Sequence, residues 1–284
     1  MENKKVAFCT LGCKVNQYET NGMIQEFKKC GYEIVEFDEF ADIYVVNTCT
    51  VTNMADRKSR QMIRKVKEIN PNAILVAVGC YAQVAKEDLE KIPEIDLILG
   101  TNEKKNIVSH VEKILNEEKQ TSIADVMHCE DYADFGDVTF TEKTRAVIKV
   151  QDGCDRFCSY CIIPFARGHI RSRRPESVIS EITKIAEKGI KEVVITGIHL
   201  ASYGRDFAKR EEANKVENGN KLEDILGVNN QANKDENDLL RKNREGHNRE
   251  YRLIDLLEDI NRIDGIQRIR LRFVGANINY RRIC

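Results

Sequence analysis

The chain has 284 residues, 42% of them hydrophobic, and its 45 Lys and Arg nearly balance 46 Asp and Glu for a formal net charge of −1. That length accommodates two domains with cores of their own, and near-neutrality excludes a nucleic-acid binder driven by bulk charge, so any RNA contact must come from local patches. No run of about 18 apolar residues exists to span a bilayer, and the opening Met-Glu-Asn-Lys-Lys-Val reads as a strand rather than a signal peptide. A cytoplasmic location without a membrane partner is the expectation. In such a chain, ten cysteines point to metal ligation or catalysis before disulfides.

In chain order, residues 5–11 form an apolar strand and 17–29 a helix with Met23, Ile24 and Phe27 at helical spacing. Short strands follow at 32–37 and 43–47. Residues 57–69 make a basic amphipathic helix closed by Asn70-Pro71. A buried-type strand at 73–78 shows no polar alternation, as parallel sheets do. A short helix at 84–91, a strand at 97–99 and a helix at 107–118 complete a run that predicts an α/β fold, an N-terminal doubly wound parallel-sheet domain over residues 1–118. Residues 119–143 read as a polar linker. A second α/β run occupies 144–271, with strands at 146–150, 192–196 and 266–271 and helices at 175–188 and 253–263. Residues 206–250 interrupt it. They are rich in charge and Asn, and are expected to be a solvated, disordered insertion with helical fragments at most at 222–226 and 239–240.

Two sets of cysteines carry the chemistry. Cys154, Cys158 and Cys161 stand at Cys-x3-Cys-x2-Cys in Gly-Cys-Asp-Arg-Phe-Cys-Ser-Tyr-Cys. That spacing offers three thiolates to a cubane iron–sulfur cluster and leaves the fourth iron without a protein ligand. The competing reading is a zinc knuckle, which wants a fourth Cys or His nearby; His169 is the only candidate, beyond Pro164 and Gly168. Cys13, Cys49 and Cys80 each lie just past the C-terminal end of a predicted parallel strand, where open α/β sheets bind ligands. Gly12 and Gly79 permit tight turns beside a bulky cluster. On position alone these three are equally well read as a second triad or as small buried apolar residues.

The wording around them is specific. Thr10-Leu-Gly-Cys-Lys-Val-Asn-Gln-Tyr-Glu19, Val46-Asn-Thr-Cys-Thr-Val-Thr52 and Val78-Gly-Cys-Tyr-Ala-Gln83 resemble the N-terminal domain of the radical S-adenosylmethionine (SAM) methylthiotransferases. Residues 154–161, Ile162-Ile-Pro-Phe-Ala-Arg-Gly168, Ile170-Arg-Ser-Arg-Arg-Pro175 and Gly197-Ile-His-Leu-Ala-Ser-Tyr-Gly204 resemble their radical-SAM core. The resemblance covers about residues 4–205 and 251–271. Around Cys13 the wording is similar to the subgroup that modifies threonylcarbamoyladenosine at tRNA position 37, rather than to those acting on a ribosomal protein or on isopentenyladenosine.

The resemblance implies two 4Fe–4S clusters and SAM. Cys154, Cys158 and Cys161 would be ligands of the SAM-cleaving cluster, and Cys13, Cys49 and Cys80 ligands of an auxiliary cluster that carries the sulfur. One SAM would methylate that sulfur and a second would supply the radical, leaving a methylthio group on C2 of the adenine. Tyr160 would lie near the SAM adenine and Gly197 would let backbone approach its amino group. The partners implied are the tRNA anticodon loop, an electron donor such as flavodoxin or ferredoxin, and a sulfur source. A ribosomal-protein methylthiotransferase and an inert iron–sulfur-binding remnant are the alternatives. Cys9, Cys30, Cys129 and Cys284 match no ligand position and read as ordinary cysteines. Two basic stretches are candidates for RNA phosphates: Arg57, Lys58, Arg60, Arg64, Lys65 and Lys67; and Arg167, His169, Arg171, Arg173 and Arg174, the second also for SAM.

The chain departs from the family after Arg268-Ile-Arg-Leu271, where Gly-Ser-Leu-Glu-Pro and further barrel are expected. Residues 272–284 can be encoded by a string that, read one nucleotide later, gives Gly-Ser-Leu-Glu-Pro-Ile-Leu-Ile-Thr-Glu-Glu-Phe. A frameshift, a non-homologous tail over residues 272–284 and an incomplete radical-SAM (β/α) partial barrel with weak or no turnover are therefore expected.

Overall fold

The computed structural model describes residues 4–115, 120–129, 131–138, 144–208 and 251–272. The expectations for most of the 206–250 insertion, for Cys284 and for the tail beyond Arg272 fall outside those residues.

Six strands build the first sheet: β1 (Lys5–Thr10), β2 (Glu33–Val35), β3 (Ile43–Thr48), β4 (Ile74–Gly79), β5 (Leu97–Leu99) and β6 (Gln120–Ser122). All pair in parallel, in the order β2-β1-β3-β4-β5-β6. Alternate residues serve opposite cores, as a two-residue period requires. Val6, Ile43, Val45, Val76 and Val78 face one core with Tyr18, Met23 and Phe27. Ala7, Tyr44, Val46, Leu75 and Ala77 face the other with Ile63, Val66 and Tyr81. The strand order reverses between β1 and β3, so their carboxyl ends open the crevice at which such sheets bind ligands.

The first three helices start earlier than periodicity suggests. Helix α1 (Lys14–Lys29) begins immediately after Cys13, because the Asn16 side chain donates to Leu11 O and Thr48 O at 2.8 and 2.9 Å and fixes the first turn to both strand ends. Helix α2 (Asn53–Ile69) is capped by the Thr52 hydroxyl, which accepts from Ala55 N at 3.1 Å. The expected helix at 84–91 is two short ones, α3 (Cys80–Val84) and α4 (Lys86–Glu90), and α5 (Ile107–Ile114) follows.

The polar stretch read as a linker needs correction. Gln120–Ser122 adds the sixth strand beside β5, and Phe135 and Val138 are buried in the first core. Gln-Thr-Ser has no apolar alternation to announce a strand. Gln120 N donates to Asp96 O at 3.1 Å, and Gly100 N to Ser122 O at 2.9 Å.

The second sheet has the order β10-β9-β7-β8. β7 (Arg145–Asp152), β9 (Glu192–Gly197) and β10 (Arg268–Arg272) are parallel, and the two-residue β8 (Arg171–Ser172) returns antiparallel at the end of β7. Between them lie α6 (Ile163–Arg167), α7 (Pro175–Glu187) with Pro at its first position, and α8 (Leu253–Ile260). Val178, Ile182 and Ile185 of α7 and Leu253, Leu256 and Ile260 of α8 pack on Ile148, Val150, Val193 and Ile195. This is the β/α arrangement expected. Asp206 and Phe207, assigned to the insertion, belong to the packed part: Asp206 Oδ2 accepts from Ser172 N at 2.8 Å and the Phe207 ring meets Tyr203.

Candidate active site

Cys13 is the N-cap of α1, Cys49 follows β3, and Cys80 opens α3 directly after β4. The first two flank the point where the strand order reverses. At Gly12, φ is +92°, and a Cβ there would stand 2.6 Å from Cys49 Sγ. Only glycine lets the Cys13 turn lie against the Cys49 sulfur. Asn16 bonds both turns, and Thr48 Oγ1 ties β3 to β4 by donating to Val78 O at 2.6 Å and accepting from Ala82 N at 3.3 Å. Cys49 and Cys80 are buried and Cys13 is half-buried. Burial pushes the Cys49 thiol up, as do Cys80 and Cys13 nearby, against the Val51 amide and Arg167. Removal of the proton from the buried Cys49 thiol calls for a strongly positive partner, which suits a cluster of irons. Among the described residues no three His, Cys, Asp or Glu side chains are arranged to hold a single metal ion. A cubane instead takes each thiolate on a different iron, and the all-sulfur donor set fits that group.

The second cysteine loop leaves β7 at Gly153, where φ is +69° and a Cβ would stand 1.7 Å from His169 O. Cys154 N then donates to Gly168 O at 3.0 Å and Cys161 N to Cys158 O at 2.9 Å. Phe157 has a positive φ of 43°; its ring sits between Phe165 and His169. His169, the zinc candidate, is held by Asp155 at 2.7 Å. Tyr160 is 90% exposed, beside the exposed Phe157, Ile162 and Phe165. A Cβ on Gly197 would meet Gln151 Oε1 at 2.9 Å, so Gln151 fills the space its bare backbone leaves. Beside it, Thr196 Oγ1 and His199 Nε2 are buried polar atoms with no partner among the described residues. A charged, multiply polar cofactor such as SAM fits atoms of that kind, which are costly to leave unpaired. Sequence reasoning passed over His199.

The second basic stretch is corrected by its burial. Arg167, Arg171 and Arg173 are at most 1% exposed and meet protein groups rather than phosphate. Arg167 donates to Glu19, to Asn16 Oδ1 at 2.6 Å, to Asp152 Oδ2 at 3.3 Å and to Cys80 Sγ at 3.1 Å. Arg171 reaches Asn102 Oδ1 at 3.0 Å and Arg167 O at 2.6 Å. Arg173 pairs with Glu181 and Asp134 and donates to Tyr18 OH at 3.0 Å. Only His169 and Arg174 of that stretch are exposed. In the first stretch, Arg60 bonds Tyr81 OH, Lys65 pairs with Asp38, and Lys67 bonds Ala73 O. Arg57, Lys58 and Arg64 face solvent. Cys9 is half-buried against the second core, Cys30 is exposed and Cys129 bonds Asp125 O.

The residues that sequence reasoning missed form one buried network. Lys104 Nζ lies 2.5 Å from Glu19 Oε2 and 2.9 Å from Asn47 Oδ1. Lys149 Nζ lies 2.7 Å from Glu19 Oε1 and 2.5 Å from Asp152 Oδ2. Burial would raise the Glu19 carboxyl, but Arg167, Lys104 and Lys149 hold it well below the usual range. One signal was legible: Lys149 lies in the central Ala-Val-Ile-Lys-Val strand, where a buried charge demands a partner.

A three-cysteine loop after the first strand of a parallel β/α sheet defines an iron–sulfur protein of the radical-SAM class. Residues 5–100 match a family described as "Uncharacterized protein family UPF0004", and residues 148–253 match the Radical SAM superfamily. "Threonylcarbamoyladenosine tRNA methylthiotransferase MtaB" of Bacillus subtilis (strain 168) is 45% identical over 204 residues, 71% of this chain and 45% of that protein. Its namesake from Aquifex aeolicus (strain VF5) is 44% identical over 203 residues, 71% and 50%. "Ribosomal protein uS12 methylthiotransferase RimO" of Desulfitobacterium hafniense (strain Y51) is 35% identical over 280 residues, 95% and 53%. The chain belongs to the radical-SAM methylthiotransferase family, and it spans about half the length of the curated relatives it matches. Among solved structures, the radical SAM methyltransferase TsrM from Kitasatospora setae superposes with a TM-score of 0.48 at 14% identity, over 74% of this chain and 52% of that one.

Proposed function

We propose that this protein transfers a methylthio group to C2 of N6-threonylcarbamoyladenosine in the anticodon loop of tRNA. The observation that carries the reading is the pair of cysteine triads at strand ends, in a chain 45 and 44% identical over 204 and 203 residues to relatives named for that activity. Cys154, Cys158 and Cys161 would hold one 4Fe–4S cluster and Cys13, Cys49 and Cys80 a second. When bound, with SAM, these groups supply the radical and the sulfur.

The chain's own part is to bind, orient and shield. Cys13, as the N-cap residue of α1, is held at the mouth of the crevice by the start of that helix. Thr196 Oγ1 and His199 Nε2 would pair with polar groups of SAM. Tyr160, Phe157 and Phe165 offer ring faces on which an adenine or a neighbouring base stacks. Arg57, Lys58 and Arg64 would meet backbone phosphates, on the helix that starts just past Cys49. An electron donor such as flavodoxin or ferredoxin and a sulfur source complete the set, in the cytoplasm.

Anaerobic reconstitution tests the two-cluster reading. About eight irons per chain are expected, falling to about four in C13A/C49A/C80A and to about four in C154A/C158A/C161A. An iron count indifferent to either triple substitution would sink it. Nucleoside analysis of tRNA from a deletion strain should show threonylcarbamoyladenosine without its methylthio group. Intact tRNA with an unmodified ribosomal protein would transfer the reading to the substrate class of the RimO relative, which is 35% identical.

A further inference from the structure

We propose that Arg167 is a positioning residue that couples the two cysteine triads, its Nε–H donating to the Cys80 sulfur and thereby setting how strongly that thiolate donates to a bound cluster. The inference rests on Cys80 being a cluster ligand, as proposed above. Arg167 ends α6, the helix that follows the second cysteine loop, yet its guanidinium lies wholly buried against Asn16 and Glu19 of α1 and Cys80 of α3, in the first domain. All three nitrogens are committed: Nε to Cys80 Sγ at 3.1 Å, Nη1 to Glu19 and Asp152, and Nη2 to Asn16 Oδ1 at 2.6 Å and Glu19 Oε2 at 3.2 Å. The Glu19 and Asn16 bonds fix the plane of the guanidinium, so the Nε–H direction is set by groups other than the sulfur. The next residue faces the other triad, since Gly168 O accepts from Cys154 N at 3.0 Å. One dipeptide thus touches a proposed ligand of each cluster.

The chemistry follows from that placement. A hydrogen bond donated to a ligating sulfur withdraws electron density from it and favours the reduced cluster, and hydrogen bonds to sulfur are among the determinants of cluster potential. Burial strengthens the effect by lowering the local dielectric. A guanidinium that merely balanced Glu19 and Asp152 would need no atom on Cys80, and a lysine could balance them as well. The geometry therefore separates two roles within one side chain: the Nη atoms serve the salt bridge and Nε serves the sulfur.

The test uses the full chain carrying C154A/C158A/C161A, so that any cluster present belongs to the first triad, with and without R167K. Lysine keeps the charge facing Glu19 and Asp152 and removes the Nε–H. Two readouts are taken anaerobically, iron per chain and midpoint potential. About four irons in both proteins, with the R167K potential lower by at least a tenfold change in the redox ratio (about 59 mV for one electron), is the expected result. Equal potentials at equal iron content would overturn the role of Nε. No iron in the C154A/C158A/C161A protein itself would overturn the first triad as a cluster site, and the inference with it. Should R167K fail to fold, the decision passes to the unsubstituted Arg167 protein labelled with 15N-arginine. Pulsed electron paramagnetic resonance of its reduced cluster should show hyperfine coupling to an arginine nitrogen, and absence of that coupling overturns the proposal.

Discussion

An arginine taken out of water must find an anion and fill its remaining donors, and Arg173 does both across two domains. It bonds Tyr18 on α1, Glu181 on α7 and Asp134 in the segment joining the sheets. Removing one member of a buried pair leaves the other charge stranded, so R173A should cost about 3–5 kcal/mol, read from urea denaturation; a change below about 1 kcal/mol would show that water reaches the pair. Asp152 makes a prediction in pH. Burial alone would raise its carboxyl, but Lys149, Arg167 and Arg171 hold it at about 2. A carboxylate depressed in the folded state contributes stability above its unfolded pKa, near 4, and loses it as pH falls toward 2. The loss attributable to Asp152 is on the order of 2 kcal/mol. Urea midpoints of the parent should fall between pH 5 and pH 2, and D152N should fall by less. Identical slopes would refute the assignment. None of this was visible in the basic wording of residues 167–174, because a list of charges does not say which side of the surface they occupy.

Elements were legible to the extent that their pattern was apolar. The strands at Ile43–Thr48 and Ile74–Gly79 run almost without polar interruption because both faces are covered. Gln120–Ser122 escaped for the opposite reason: an edge strand of three polar residues is specified by its neighbour's hydrogen bonds, not by its own side chains. The turn from β1 into α1 was read correctly as needing glycine, but what it must accommodate is Cys49. G12A forces an unfavourable positive φ, costing roughly 1–2 kcal/mol, and drives a methyl into the Cys49 sulfur. Reconstituted G12A should hold about four irons rather than eight, and full loading would show that the Cys13 turn has slack. Helix α2 makes a prediction in salt. Its exposed Arg57, Lys58 and Arg64 are the cations left of the first basic stretch once Arg60, Lys65 and Lys67 are assigned to protein partners. If each meets one phosphate of a single-stranded loop, the R57Q/K58Q/R64Q variant should flatten the log–log salt dependence of tRNA affinity by about 2. An unchanged slope would move the RNA surface elsewhere.

At the scale of the whole molecule, two sheets are joined through a buried network of charges, beside which Val147 of the second sheet packs against the first core. Glu19, on α1, accepts from Lys104 of its own domain and from Lys149 and Arg167 of the other. A polar junction of this kind couples the domains tightly while intact, because opening it strands several buried ions at once. The parent should therefore unfold in a single denaturant transition, and E19Q, which leaves three cations facing a neutral amide, should separate it into two or lower it by several kcal/mol. Coincident, unshifted curves would mean that the domains fold independently of Glu19. The amino-acid sequence determined by itself which residues bear sulfur, that both domains are β/α, and that Cys13, Cys49 and Cys80 each follow a strand while the other three candidates share one loop, since local periodicity and spacing suffice for those. Tertiary structure alone decided the fate of the arginines and the partners of Glu19. Burial is a property of the assembled chain, and the pairing of Arg167 with Glu19 and Cys80 joins residues 148 and 87 positions apart, beyond the reach of any local pattern.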